Sequence, residues 1–329
     1  MRADGARAGG DEGERVDGWA ERASLRLLFA MARWWPGFAR WSAPFWTRTA
    51  WELNPALQRS ILANAKRLLP HGTEAQRRQL ARAVVRSFYD FVMEMGVAVN
   101  ADRSAILEKL AGTDGHEHYE EARRLGRGVI VATAHLGSFE VGIAALREHE
   151  ARIHVVFKRD VEPTFDRLRG DLHRMLGVLD APIDEGLGLW VRLRDALARD
   201  EAVLMQADRA MPMQKGVVVP FGNGHLMLPT GVVRLARASN APIVPVFAVR
   251  QPDGRIRLQV EKAIDVHACG NGDDATSKFD AATQTLARVI EAKVFAHPEQ
   301  WLMLQPAWLE DQPVHVTAAT EQAKDVRCE

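Results

Sequence analysis

His135 and Glu140, in the stretch Ala132-Thr-Ala-His-Leu-Gly-Ser-Phe-Glu140, form the His-x-x-x-x-Glu arrangement in this chain best suited to proton-transfer chemistry. An imidazole titrates near neutral pH, and a carboxylate held against one ring nitrogen fixes its tautomer and leaves the other nitrogen free to accept a proton. A hydroxyl needs such a base as it attacks a carbonyl, and a positioned histidine contributes typically ~10²–10⁴-fold. The residues therefore point to general-base activation of a hydroxyl or of water. The same spacing also fits a plainer arrangement, with Glu140 complementing a helix dipole beside a histidine that only packs.

Other chemistries find less support. No Gly-x-Ser-x-Gly elbow is present, and Cys269 sits in a Gly- and Asp-rich stretch that offers no base. His116-Glu117-His118 supplies two imidazoles without a third ligand, the pattern of a polar turn rather than a metal site. Neither a phosphate-binding glycine loop nor a dinucleotide fingerprint occurs, so no cofactor is expected. The formal net charge is zero, which gives no general attraction to nucleic acid. Two cysteines in 329 residues make no disulfide framework and suit a reducing, cytoplasmic setting.

Positioning His135 and Glu140 requires a strand followed by a helix. Residues 128–134 form a short continuous apolar run, and Phe139 to Glu148 has helical periodicity, with Gly137 available for the tight turn between them. Strand patterns at 153–157, 202–206 and 242–249 alternate with helical patterns at 163–176, 187–198 and 230–239, which indicates an α/β sheet. A Pro-Asp-Gly turn at 252–254 joins Val244–Arg250 to Ile256–Val260 as a hairpin, so the sheet is expected to be mixed but mostly parallel, flanked by helices. A helix over about 275–295 closes it.

The N-terminal third differs in character. Residues 1–18 read as a disordered tail, 19–100 as a helical membrane-docking segment, 101–310 as the α/β domain and 311–329 as a polar tail. Six of the nine tryptophans fall within the first 51 residues, and residues 21–100 hold twelve Lys and Arg against five Asp and Glu. Arg22, Arg26, Arg33 and Arg40 share one helix face among large aromatic side chains, the pattern of a helix lying in a membrane interface. The apolar run is interrupted by arginines and by Pro36 and Pro44, so it is not expected to span a bilayer. Residues 55–100 continue as helix, with a loop at Leu69-Pro-His-Gly72 and Thr73 as N-cap of the next segment.

With these residues in view, the sequence resembles the lipid A late (lauroyl/myristoyl) acyltransferase family and its relatives, the phosphatidylinositol mannoside acyltransferases. The resemblance rests on an ordered series: Asp114-Gly-His-Glu-His-Tyr-Glu-Glu-Ala122, Gly126-Arg-Gly-Val-Ile-Val131, His135-Leu-Gly-Ser-Phe-Glu140, Gln206-Ala-Asp-Arg209, Gly216-Val-Val-Val-Pro-Phe-Gly222, Leu228-Pro-Thr-Gly231, the run from Leu235 to Phe247, and His297-Pro-Glu-Gln-Trp301. It implies a glycerolphosphate-acyltransferase-like fold and direct transfer from an acyl carrier protein or acyl-CoA thioester to a hydroxyl of a lipid or glycolipid. Neither an acyl-enzyme nor a metal is implied. It also implies a peripheral position on the cytoplasmic face of the inner membrane. The acid is Glu where some members have Asp, and Ser138 stands where Asn is usual. A hydrolase using the same pair, or a non-catalytic lipid-binding member, is the competing reading.

Four further pairs are candidates for substrate binding. Lys158 and Arg159 follow a strand expected beside the catalytic one, where two cations would suit a phosphate. Asp208-Arg209 resembles a family motif and fits either a direct role or an internal ion pair. Phe221-Gly222 and Thr230-Gly231 would shape an acyl or acceptor pocket, with amides at a helix start open to an anion, or simply provide turn chemistry.

Overall fold

A computed structural model describes residues 26–159, 163–210, 216–269 and 275–312. The expected tail at 1–18, Trp19, Arg22 and nearly all of the expected tail at 311–329 lie outside these residues.

Helix α1 covers residues 26–34, and Pro36 opens α2, Pro36–Leu53, at its first position, where a missing N–H costs nothing. Helix α2 continues through Pro44. Helix α3, Pro55–Leu68, is capped by Asn54, and α4, Glu74–Ala98, starts with a capping box in which Thr73 and Gln76 satisfy each other's backbone N–H. Helices α1 and α2 turn small residues inward: Ala32, Ala39, Ser42 and Ala43 are buried. Close approach follows, since a Cβ at Gly96 of α4 would lie 2.4 Å from that of Ala32, and the Tyr89 hydroxyl of α4 donates to the Ala39 carbonyl at 2.6 Å.

After α5, Arg103–Leu107, the chain builds a seven-stranded sheet. Its strands are β1 (Leu110–Asp114), β2 (Val129–Thr133), β3 (Ile153–Phe157), β4 (Leu179–Pro182), β5 (Ala202–Gln206), β8 (Ile243–Arg250) and β9 (Ile256–Val260), in the order β1-β9-β8-β2-β5-β3-β4. Strands β6 (Gly216–Phe221) and β7 (Gly224–Pro229) form a separate antiparallel hairpin. All pairings in the main sheet are parallel except β8 with β9, as the Pro-Asp-Gly turn requires. The central strand β2 is buried along its whole length, which explains its unbroken apolar run.

Helices α6 (His116–Arg123), α7 (Phe139–His149), α8 (Pro163–Leu176), α9 (Leu187–Ala198), α10 (Gly231–Ser239) and α11 (Ala275–Ala296) flank the sheet. Two core clusters lie on its faces, one built around α9, α10 and α11, the other around α7, α8 and part of α4. One expectation needs correction: β3 does not lie beside β2, because β5 is inserted between them.

The irregular segment after α11 is fixed to the N-terminal helices by one side chain. Asn64 of α3 donates to the carbonyls of Met303 and Gln305 at 3.0 and 2.8 Å and accepts from the Ala307 N–H at 2.9 Å. Asn64 is buried, so its removal leaves three main-chain groups short of partners. Asn64→Ala should cost roughly 2–3 kcal/mol. A lower urea midpoint would register this; an unchanged midpoint would mean the segment is held by packing alone.

Candidate active site

Parallel pairing of β2 with β5 places Thr133 opposite Gln206, and the Ala207 N–H extends the ladder by donating to the Thr133 carbonyl at 2.8 Å. The same register carries His135 and Asp208 out of the sheet together. The His135 backbone N–H donates to Asp208 Oδ2 at 3.0 Å, His135 Nδ1 lies 2.8 Å from Asp208 Oδ1, and Trp301 Nε1 donates to Asp208 Oδ2 at 2.9 Å. The Asp208 side chain is fully buried, whereas that of His135 is 28% exposed.

Burial alone would raise the pKa of Asp208, but the charge of His135 and the hydrogen bonds from His135 and Trp301 outweigh it and hold the carboxyl at about 2. Asp208 is thus ionised and can only accept hydrogen bonds. His135 Nδ1 must carry the proton, which leaves the Nε2 lone pair as the proton acceptor of the neutral ring.

The turn between β2 and α7 is held from three sides. Gly137 has φ +71°, and a Cβ there would lie 1.9 Å from the Ala248 carbonyl oxygen, so the tight turn requires glycine. The Gly137 N–H donates to the Gln300 carbonyl, the Ser138 N–H to that of Ala248, and the Leu302 N–H to that of His135 at 2.7 Å. Gln300 also clasps Arg250, accepting its N–H and donating to its carbonyl. The segment 297–302 is therefore the scaffold of the turn.

Glu140 occupies the first turn of α7, as expected, but does not pair with His135. It is 1% exposed; Oε2 lies 3.5 Å from Ser138 Oγ, and Oε1 has no hydrogen-bond partner among the described residues. Its side chain is directed into the protein, toward the ion pair that Arg250 makes with Glu94 of α4 at 2.5 and 2.8 Å. Burial pushes its pKa up to about 8, and the nearby Glu94 charge adds to the rise. Glu94 goes the other way: burial would raise its pKa, but hydrogen bonds and charge from Arg250 lower it. The place at the imidazole assigned to Glu140 from sequence is thus taken by Asp208.

Over residues 25–310 the sequence matches the family described as Bacterial lipid A biosynthesis acyltransferase. The chain belongs to this family. It is 29% identical over 207 residues to the phosphatidylinositol mannoside acyltransferase of Mycobacterium tuberculosis (strain ATCC 25618 / H37Rv), a stretch covering 62% of this chain and 61% of that protein. The match therefore spans about three fifths of the relative's length. The Escherichia coli (strain K12) lipid A biosynthesis lauroyltransferase is 27% identical over 252 residues, covering 73% of this chain and 75% of that one. The crystal structure of a 1-acyl-sn-glycerophosphate acyltransferase from Thermotoga maritima aligns with 83% of this chain and 97% of its own at 11% identity and a TM-score of 0.33.

In this lipid A acyltransferase-family chain the remaining candidate residues scatter. Lys158 and Arg159 follow β3, which is separated from β2 by β5; Lys158 is exposed, and Arg159 pairs with Asp184 and, at 4.0 Å, with Glu185. Arg209 follows Asp208 directly, and its Nε is buried without a partner among the described residues. Phe221 is a fully buried core residue, stacked at 24° on Trp301 and accepting a hydrogen bond from Trp308 through its carbonyl. Gly222 turns at φ +57° against Phe295, and Thr230 is buried at the start of α10, where Gly231 packs against Trp190.

None of Phe221, Gly222, Thr230 or Gly231 lines the cavity that does adjoin the β2–α7 turn. That cavity, of about 130 Å³, lies between α7 and the sheet and is bounded by Val131, Thr133, Phe139, Gly142, Ala248 and Leu258. Sequence reasoning missed it, because its walls come from five strands and three helices.

The two carboxylates predict opposite pH behaviour. Asp208, depressed to about 2, contributes stability present above its unfolded pKa and lost as pH falls through about 2. Glu140, raised to about 8 from an ordinary 4.5, leaves the fold most stable below pH 4.5 and progressively weaker as pH rises toward 8. Glu140→Gln mimics the protonated acid and should flatten that decline. Urea unfolding at pH 5 and pH 9 tests it; wild type and variant declining in parallel would show that Glu140 is not the group responsible.

Proposed function

We propose that this chain transfers a fatty acyl group from an acyl carrier protein or acyl-CoA thioester to a hydroxyl of a membrane lipid or glycolipid, with His135 as general base. The observation that carries this reading is the 2.8 Å contact of His135 Nδ1 with a buried, ionised Asp208, in a chain of the lipid A acyltransferase family. The acceptor hydroxyl gives its proton to Nε2 as its oxygen attacks the thioester carbon. The tetrahedral adduct then expels thiolate, which recovers the proton from the imidazolium stabilised by Asp208. Glu140 supports the turn as a buried, largely neutral acid rather than as the partner of the imidazole.

The acyl chain enters the apolar cavity beside Thr133 and Phe139. Arg209, next to Asp208, is placed to meet a phosphate of donor or acceptor, with Lys158 and Arg159 farther along the same strand ends.

The membrane-surface reading rests on a run of exposed aromatic side chains. Helices α1 and α2 bury Phe29, Met31, Trp51 and several alanines, and on their other side leave Trp34, Trp35, Phe38, Trp41 and Phe45 exposed, Trp41 at 78%. Such a concentrated aromatic surface is stabilised at the boundary of a bilayer, where Arg26 and Arg40 meet anionic headgroups. Among the described residues no helix is long and apolar enough to cross a membrane. Phe29 of α1 packs on Phe165 of α8, and Phe91 of α4 packs on both Phe165 and Phe139 of α7, so α4 links the N-terminal helices to the start of α7. We place the protein peripherally on the cytoplasmic face of the inner membrane, where both thioester and lipid are within reach.

Two experiments test this. His135→Ala and Asp208→Asn should each lower acyl transfer by about 10²–10⁴-fold while the folded state persists. Mass spectrometry of total lipid extract incubated with acyl-carrier-protein and acyl-CoA thioesters should show a lipid gaining one acyl mass with wild type only. Free fatty acid without an acylated lipid would instead mark a hydrolase, and turnover equal in wild type and His135→Ala would remove the general-base assignment. Replacing Trp34, Trp35, Phe38 and Trp41 together by Ser should release the protein from anionic vesicles in flotation; full retention would exclude this face as the docking surface.

A further inference from the structure

Three features outside the proposed proton relay stand out: the Glu94–Arg250 pair, the His173–Asp180 contact at the sheet edge, and the indole of Trp301. The first two carry no link to reacting atoms, since Arg250 is committed to Glu94 and Gln300, and Asp180 belongs to the outer strand β4. Trp301 is different, because its N–H ends on the carboxylate that holds the base.

We propose that Trp301 is a positioning residue for catalysis, acting through its indole N–H on Asp208 rather than through its bulk. This rests on the reading of His135 and Asp208 as the proton relay. Asp208 has two oxygens and three donors: Oδ2 takes the His135 main-chain N–H and Trp301 Nε1, which leaves Oδ1 for His135 Nδ1. A carboxylate rotates easily about its Cβ–Cγ bond, so a pair of donors on one oxygen is what fixes the direction of the other. Without the indole N–H, one main-chain donor alone would orient the group.

The indole is itself immobile. Trp301 is 1% exposed, stacked on Phe221 with ring centroids 6.1 Å apart, and met edge-on by Trp308 at 5.7 Å. Its main chain also pairs with Leu136, and the following Leu302 N–H reaches the His135 carbonyl. The stretch 300–302 therefore registers the base through the main chain of Gln300 and Leu302 and the acid through the side chain of Trp301. The same packing explains why Phe221 lies in the core: it is the wall that sets the indole plane. The motif His297-Pro-Glu-Gln-Trp301 gains a role for each of its last two members, Gln300 on the turn and Trp301 on the carboxylate.

The test must separate N–H from bulk. Incorporating benzothienylalanine at position 301 keeps the bicyclic ring and replaces N–H by sulfur, and Trp301→Phe offers a second, smaller replacement. Losing a hydrogen bond to a charged group should lower kcat by about 10- to 100-fold, with KM for the acyl thioester unchanged. In ¹⁵N-histidine spectra the His135 Nδ1–H resonance should move upfield or broaden in both variants. Thermal unfolding of the benzothienylalanine protein should stay close to wild type. Wild-type kcat and an unmoved Nδ1–H signal in that protein would overturn the proposal, as would a loss that appears only with Trp301→Phe and tracks its stability. His135→Ala and Asp208→Asn run beside it distinguish the failures: if these keep activity, the relay itself is wrong, and if they lose it while the benzothienylalanine protein does not, only the role of the indole falls.

Discussion

A carboxylate that is fully buried and still ionised has to be surrounded by donors, and the active end of this sheet is organised around meeting that demand at Asp208. Its oxygens collect the main-chain N–H and ring Nδ1 of His135 and the indole N–H of Trp301. Two of these donors come from the turn after β2 and the third from the strip beyond α11. Satisfying one anion thus ties two pieces of chain to the end of β5, and the tautomer of the imidazole follows from the same contacts.

The sheet makes this arrangement inexpensive in conformational freedom. Parallel β2 and β5 deliver His135 and Asp208 side by side through their register, and glycine at 137 lets the chain turn where any side chain would strike the Ala248 carbonyl. The strip at 300–308 is secured at its far end by Asn64, and Glu94 reaches from α4 to Arg250, behind the turn. The N-terminal helices are accordingly packed into the support of the site, while their aromatic outer surface faces away from the protein.

Much of this was legible in the sequence. Continuous and alternating apolar runs marked β2, β3, β5, β8 and β9; the cap at Thr73 and the turn at Gly137 follow from residue type. Short strands escaped notice: β4 has only two buried residues and lies at the edge, and β1 is interrupted by an irregularity at Gly112. The site itself was half readable. His135 was evident, but the identity of its acid was not, because Glu140 is near in sequence whereas Asp208 is near only through strand order and register. A helix's first turn can direct a carboxylate back over the loop or into the core, and the Arg250 and Glu94 side chains that favour the second course come from distant segments. Phe221 looked like a pocket wall for a similar reason: its packing against Trp301 and Trp308 is decided by tertiary contacts alone.

The central claim is that Asp208, not Glu140, holds His135 in the tautomer that leaves Nε2 as the base. The most direct test is the ¹⁵N-histidine correlation spectrum of wild type, Asp208→Asn and Glu140→Gln. The account predicts a neutral His135 protonated at Nδ1 with a downfield proton in wild type, lost in Asp208→Asn and kept in Glu140→Gln. A signal that survives Asp208→Asn and disappears in Glu140→Gln would contradict it and return the acid's role to Glu140.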